Sequence, residues 1–372
     1  MKMEKGVFFK KIKNLCNRWF IQAFSGMAQG LFVTLIAGTI IKTIGSYIFS
    51  NSDFGKLLLL VGGIASVVTG FGIGVGMAHY LKSDKLVVFS AGVAGFLGAY
   101  AEQILAGADL AALSSVWANG LPGNPISAYI CALLAIEVCK FVSGKTKLDI
   151  LLVPLTALSC AILGVYVSYP FIWLIKVIAE GINIATTITP FVMGMVIAVV
   201  MGMLLTLPTS SAAIWVTIVA SYGSEVPDAV LIAGGAAVVG CASHMVGFAV
   251  MSFKENGVSG LISQGLGTSM LQIPNVMKKP VLFIPPIISS LITGPLATVV
   301  FKLRCDKSGG GMGTSGLVGV FGVINASSEV VKPWVMWLGI LLLMFVLPAV
   351  ICLLLGRFMR KKGWIKEGDL KI

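Results

Sequence analysis

Two stretches of the chain repeat one phrase, Gly265-Leu-Gly-Thr-Ser269 and Gly311-Met-Gly-Thr-Ser315, and a lone histidine, His244, precedes both inside an apolar run. Hydroxyls beside backbone that glycine allows to bend can bind a polar solute through both side chains and exposed peptide groups. A neutral imidazole can donate to and accept from a hydroxyl. Each Gly-Thr-Ser phrase lies in an uncharged, glycine-rich segment, over residues 257–275 and 309–328, too polar to face lipid. Backbone that is not regular helix survives at membrane depth only where protein or a watery cavity satisfies it, and in secondary transporters such backbone holds the substrate. A third element is Thr206-Leu-Pro-Thr-Ser-Ser-Ala-Ala213. Pro208 must break a membrane helix there, and Thr209, Ser210 and Ser211 are placed to cap the next one.

These observations give a candidate solute site of Thr209, Ser210, Ser211, His244, Glu255, Asn256, Gln264, Thr268, Ser269, Asn275, Thr314 and Ser315. Glu255 and Asn256 follow the His244 helix and could turn toward a cavity or form a surface turn. Gln264, Thr268, Ser269 and Asn275 belong to the first Gly-Thr-Ser segment, where Gln272 and Pro274 could also line a polar pocket. Glu102, Gln103, Glu137 and Lys42 are further polar groups in apolar surroundings. No nucleophile–base–acid set, phosphate loop, cofactor motif or metal-ligand spacing is present. The seven cysteines are scattered through apolar runs, as small core residues are. Gly70-Phe-Gly-Ile-Gly-Val-Gly76 sits within an apolar span, with no strand before it, and reads as close helix packing rather than a dinucleotide loop.

The elements that must hold these residues are membrane helices. Hydrophobic residues make up 57% of 372 and charged ones 11%, far below the charge of a soluble domain. Apolar spans of ~20 residues recur throughout. We expect an all-α polytopic membrane protein with crossings near 23–49, 57–81, 86–106, 124–143, 149–171, 190–208, 210–222, 229–252, 279–302 and 333–358. Residues 172–185 would lie in the interface, and 258–275 and 309–328 would be re-entrant hairpins. The net charge of +12 does not indicate nucleic acid, because the basic residues crowd the two ends. Residues 1–22 form an amphipathic basic segment, 23–358 the transport region and 359–372 a basic tail. Basic flanks mark the cytoplasmic side, so both ends should be cytoplasmic. Ten crossings agree, although they place the basic 302–307 loop outside. Gly30–Gly38 aligns with Gly194–Gly202, which would give two inverted halves.

Leu207–Ala213, Gly240–Asn256, Ile262–Asn275, Phe283-Ile-Pro-Pro286 with Thr293-Gly-Pro295, and Gly311–Gly322 resemble a membrane family related to the IIC component of the bacterial sugar phosphotransferase system. Some members of that family are described as toxin (perfringolysin) regulators. The resemblance covers residues 24–357. It implies a multi-pass protein of the bacterial cytoplasmic membrane, a homodimer that moves a small polar solute, of the sugar class, by alternating access. In such proteins a buried histidine and a loop glutamate contact the sugar, and His244 and Glu255 are the nearest candidates. The chain carries no IIA or IIB domain, so phosphorylation would require separate phosphotransferase components. The competing expectation is a membrane ligand sensor that transports nothing.

Overall fold

A computed structural model describes residues 14–372 except 51, 187, 221, 223–225 and 308. The first thirteen residues, with most of the expected basic N-terminal segment, lie outside the described residues. The described residues are helical, without strands. The principal helices are α1 (Asn14–Tyr47), α2 (Asp53–Val67), α3 (Thr69–Tyr80), α4 (Lys85–Ala99), α5 (Pro125–Cys139), α6 (Asp149–Ile182) and α7 (Pro190–Thr206). They continue as α8 (Ser211–Ala220), α9 (Asp228–Met251), α10 (Phe253–Ile262), α11 (Ile273–Lys278), α12 (Pro280–Val300), α13 (Val318–Ser327) and α14 (Pro333–Lys361).

Among the described residues, α1, α6, α9, α12 and α14 are each long and apolar enough to cross a membrane. A sixth span results if α2 and α3, bent by 51°, are one. The expected span over 210–222 is the ten-residue α8, about 15 Å long and half the thickness of a hydrocarbon core. The expected interfacial segment 172–185 instead prolongs the preceding span, since Asp149–Ile182 runs as one helix of 34 residues.

The chain divides into two compact units, residues 1–35 with 63–172, and 36–62 with 173–372. In the first unit the helices meet through glycine. Gly70 and Gly74 sit one turn apart on α3 and face Gly95 and Ala91 of α4, while Gly72 and Gly76 face Gly30 and Gly26 of α1. The glycine run is therefore a two-sided packing seam, as its spacing predicts. Met27, Leu31, Ile73 and Met77 are buried beside it. Some polar groups here close locally, while Trp19 Nε1, Gln103 Oε1, Trp117 Nε1 and Ser127 Oγ are buried without a hydrogen-bond partner among the described residues. Tyr100 donates to, or shares its hydroxyl between, the carbonyls of Val67 and Leu121 at 3.0 Å each. Arg18 pairs with Glu137 at 2.6 Å, and Asn124 caps α5 ahead of Pro125.

The second unit is built around α9, which is almost wholly enclosed. Gly235 and Gly240 let α9 approach the backbone at Leu303 and Ala198, and Gly247 meets Cys352 of α14. Its polar face is paired across to α12: Ser243 bonds Thr293 at 3.0 Å and Ser289 at 3.2 Å. At its start Asp228 takes a two-pronged bond from Arg304, at 2.5 and 2.8 Å. This ties the basic 302–307 loop to the α9 end.

A candidate solute site where two broken segments meet

The two Gly-Thr-Ser segments are broken helices that touch. After α10 the chain makes a wide turn at Ser263–Gly267, becomes extended at Thr268, and resumes as a short 3-10 turn at Ser269–Gln272 before α11. The second segment turns through Gly313 and Gly316, both with positive φ, and the left-handed Leu317 into α13. Thr314 Oγ1 donates to the Gly265 carbonyl at 2.5 Å and lies 3.5 Å from the sulfur of Met245. A side chain at Gly313 would overlap the α9 backbone at Cys241 and Ala242, and its φ of +55° also favours glycine. The repeated phrase is therefore the point where the two segments close on each other and on α9.

Beside that crossing lies a hydroxyl–imidazole chain. Thr206 Oγ1 is 3.1 Å from His244 Nδ1 and 2.8 Å from Ser269 Oγ. Gly202 of α7 leaves room for the imidazole, since a Cβ there would meet its Cδ2. The rings of Phe283 and Phe248 stand 5.7 and 6.2 Å from it. His244, Thr206 and Ser269 are fully buried. Nε2 of His244 has no hydrogen-bond partner among the described residues. If Thr206 donates to Nδ1, Nε2 carries the proton and is a free donor. If Nδ1–H donates to Thr206, Nε2 is a free acceptor. Either tautomer presents one unmet, directional group in a dry setting, where leaving it unpaired costs about 1–3 kcal/mol. Ser315 Oγ, next to Thr314, is a second such orphan.

The Pro208 break has a specific consequence. Leu204 O would ordinarily accept from the N–H of residue 208, which proline lacks. The Thr209 hydroxyl takes that place, donating to Leu204 O at 2.6 Å. Thr209 thus closes the end of α7 rather than offering its hydroxyl to the next helix. Ser211 donates to Gly311 O at 2.7 Å and so pins α8 to the second Gly-Thr-Ser segment. Ser210 stays half-buried beside them. Thr268 accepts from the Met270 N–H at 3.2 Å, capping the 3-10 turn.

The remaining expected residues gather elsewhere in this unit. Glu255 pairs with Arg360 of α14 at 2.7 Å, and its other oxygen, Oε2, is buried without a partner among the described residues. Gln264 donates to Ser252, and Gln272 donates to Gln264, each at 2.8 Å. Gln272, Asn256 and Asn275 also donate to the carbonyls of Leu370 and Lys371, at 2.8 to 2.9 Å. Residues 365–372 thus form a strap over the first broken segment, with Ile365 and Leu370 buried among Phe248, Val276, Leu282 and Phe283. The surface-turn reading of 254–257 does not hold for Glu255, whose side chain is only 4% exposed.

Of the twelve expected residues, Thr209, Ser211, His244, Ser269, Thr314 and Ser315 belong to the crossing and its supports, Ser210 lies beside them, and Thr268 shapes the turn. Asn256, Gln264 and Asn275 belong to the strap network, and Glu255 pairs with Arg360 of α14. Sequence reasoning left Thr206, Gln272 and Arg360 off the candidate set. A threonine two residues ahead of a helix-breaking proline was the available signal for Thr206. Nothing in the sequence pointed from Arg360 to Glu255.

Several long apolar helices, two touching broken segments and an unmet polar group beside them describe a multi-pass membrane protein with a polar interior site. Residues 21–372 match the family of the phosphotransferase system, EIIC, and the chain belongs to it. No curated protein matches the chain.

Proposed function

We propose that the chain is the membrane-embedded transport subunit for a small polyhydroxylated solute, a sugar or sugar derivative, which it moves by alternating access. His244 Nε2 and Ser315 Oγ contact the solute, and Thr206 and Ser269 hold the imidazole in place. The observation that carries this reading is the buried, unpartnered Nε2 of His244, supported by family membership. A sugar hydroxyl both donates and accepts, so it satisfies either tautomer. The buried state of the site corresponds to an occluded conformation, and entry requires the broken segments to part. We further propose about ten crossings, both ends in the cytoplasm of a bacterium, a homodimer, and phosphorylation of the solute by separate phosphotransferase components.

The test is a thermal-shift screen of purified protein against sugars, polyols and sugar acids, followed by uptake into proteoliposomes. Stabilisation by one class with flux of that class is expected. His244→Ala should weaken binding several-fold, the scale of one neutral hydrogen bond at about 0.5–1.5 kcal/mol. Wild-type affinity in that variant would remove His244 from the site, and binding without flux under any phosphorylating partner would point to a sensor.

A further inference from the structure

The first unit holds a polar feature of its own. A cavity of about 110 Å³ is lined by Arg18, Lys82, Ser83, Asp84, Val87 and Lys140. It lies where α1, the α3–α4 loop and the end of α5 come together. Its charges are unequally engaged. Arg18 directs Nε to Glu137 at 2.6 Å and Nη1 to the Leu81 carbonyl at 3.4 Å, leaving Nη2 without a hydrogen bond among the described residues. The Asp84 carboxylate accepts from Ser143 at 2.8 Å and makes no capping bond to α4. Lys82 and Lys140 make no ion pair among the described residues. Lys82 is held in the left-handed conformation, at φ +55°, on the cavity wall. Two exposed lysines without an ion pair among the described residues and a spare guanidinium edge thus line one small open cavity. Counting Glu137 and Asp84 against Arg18, Lys82 and Lys140, the cluster keeps an excess of one positive charge.

Exposed aromatic side chains flank this cavity. Tyr80 and Phe141, the neighbours of its loop and helix end, are exposed at 42% and 68%. Aromatic side chains at the ends of apolar helices mark the membrane–water interface, and basic residues there favour the cytoplasmic leaflet. Basic pockets between helices at that level suit phosphate headgroups. We propose that this cavity binds the phosphate ester of an anionic phospholipid, with Lys82, Lys140 and Arg18 Nη2 as its ligands. The shared chemistry is a phosphate group. The flanking exposed aromatics favour lipid over a free ion as its source.

The experiment uses the full chain purified in a neutral detergent and titrated with phosphatidylglycerol or phosphatidylcholine, with bound lipid read by native mass spectrometry. Phosphatidylglycerol should bind the wild type more tightly. Lys140→Gln should weaken it about five-fold, and Lys82→Asn, which keeps a residue tolerant of the left-handed backbone, by a similar factor. Lys145→Gln with Lys147→Gln, basic residues of the neighbouring loop but not of the cavity, should leave binding unchanged. Equal phosphatidylglycerol affinity in wild type and the cavity variants would overturn the proposal. So would an equal loss in the loop variant, because the effect would then be general surface charge. Displacement of the lipid by inorganic phosphate supports a site that reads the phosphate alone. Retention supports one that also needs the lipid's chains.

Discussion

The two units solve the problem of packing helices in opposite ways. In the first, α3 is fastened on both sides by glycines that bring backbones together, and Tyr100 and Arg18 close on nearby carbonyls and an ion pair. In the second, glycines also clear the path for α9, but the space they create is filled by hydroxyls, an imidazole and broken helix ends. Small-residue seams gain dispersion from close approach and present no side-chain donor or acceptor along the seam itself. Broken segments give up regular helix bonds and must find other partners, so they supply directional groups. The α3 seam is specified by volume and the crossing on α9 by polarity.

The largest effect expected tests the second half of that contrast. Arg360→Ala leaves the buried Glu255 carboxylate without its guanidinium, and breaking such a pair costs about 3 kcal/mol or more. A marked fall in Tm should follow, and Glu255→Gln combined with Arg360→Gln should recover most of it. If the single variant melts like wild type, α10 is held against α14 by packing and not by charge. In the first unit the corresponding blow is steric. A Cβ at Gly74 would overlap the Ala91 carbonyl oxygen, and backbone cannot rotate aside, so Gly74→Ala should cost about 1–3 kcal/mol. Gly181→Ala, with open space around it, should be neutral or slightly stabilising. Equal stability of the two variants by thermal denaturation would contradict the volume argument.

How much of this is legible in the sequence follows the same division. Periodicity and apolar length locate the long helices, because those patterns answer to lipid alone. The seam at Gly70–Gly76 is legible since glycine spacing on one helix implies its packing faces. The repeated Gly-Thr-Ser phrase locates the broken segments, because glycine weakens a continuous helix and a run of hydroxyls is costly against lipid. Pairing across the fold is not legible. Glu255 with Arg360 and Gln272 with Leu370 are separated by about a hundred residues. No local rule selects such partners. Thr209 serves the helix before it rather than the one after it for a related reason: a hydroxyl beside a proline can close either. The choice depends on which orphan group is nearer.

A smaller effect separates the imidazole's support from its ligand. Thr206→Val keeps the side-chain shape but removes the hydroxyl shared by His244 Nδ1 and Ser269 Oγ, leaving both buried groups short of a partner. A loss of about 1–2 kcal/mol in stability is expected, together with weaker solute binding. Thr206→Ser should restore both. Restored stability without restored binding would show that the threonine methyl, and not the hydroxyl, sets the ring.

The smallest stability change and the sharpest division come from Ser315. Its hydroxyl is buried, 1% exposed, and has no hydrogen-bond partner among the described residues. A group that only completes the fold is missed when removed, whereas an unmet group already carries its desolvation cost in the empty protein. Ser315→Ala should therefore leave Tm unchanged or raise it slightly, by the equivalent of up to about 1 kcal/mol, while solute affinity falls several-fold. The same substitution at Ser243, whose hydroxyl pairs with Thr293 and Ser289, should lower Tm and leave affinity alone. The two serines differ in whether the protein or a ligand completes them. Paired measurement of Tm and binding in the two variants thus tests, inside one unit, the distinction drawn between the two units. A Ser315 variant that loses stability and keeps its affinity would place that hydroxyl in the fold and leave His244 as the ligand-facing group.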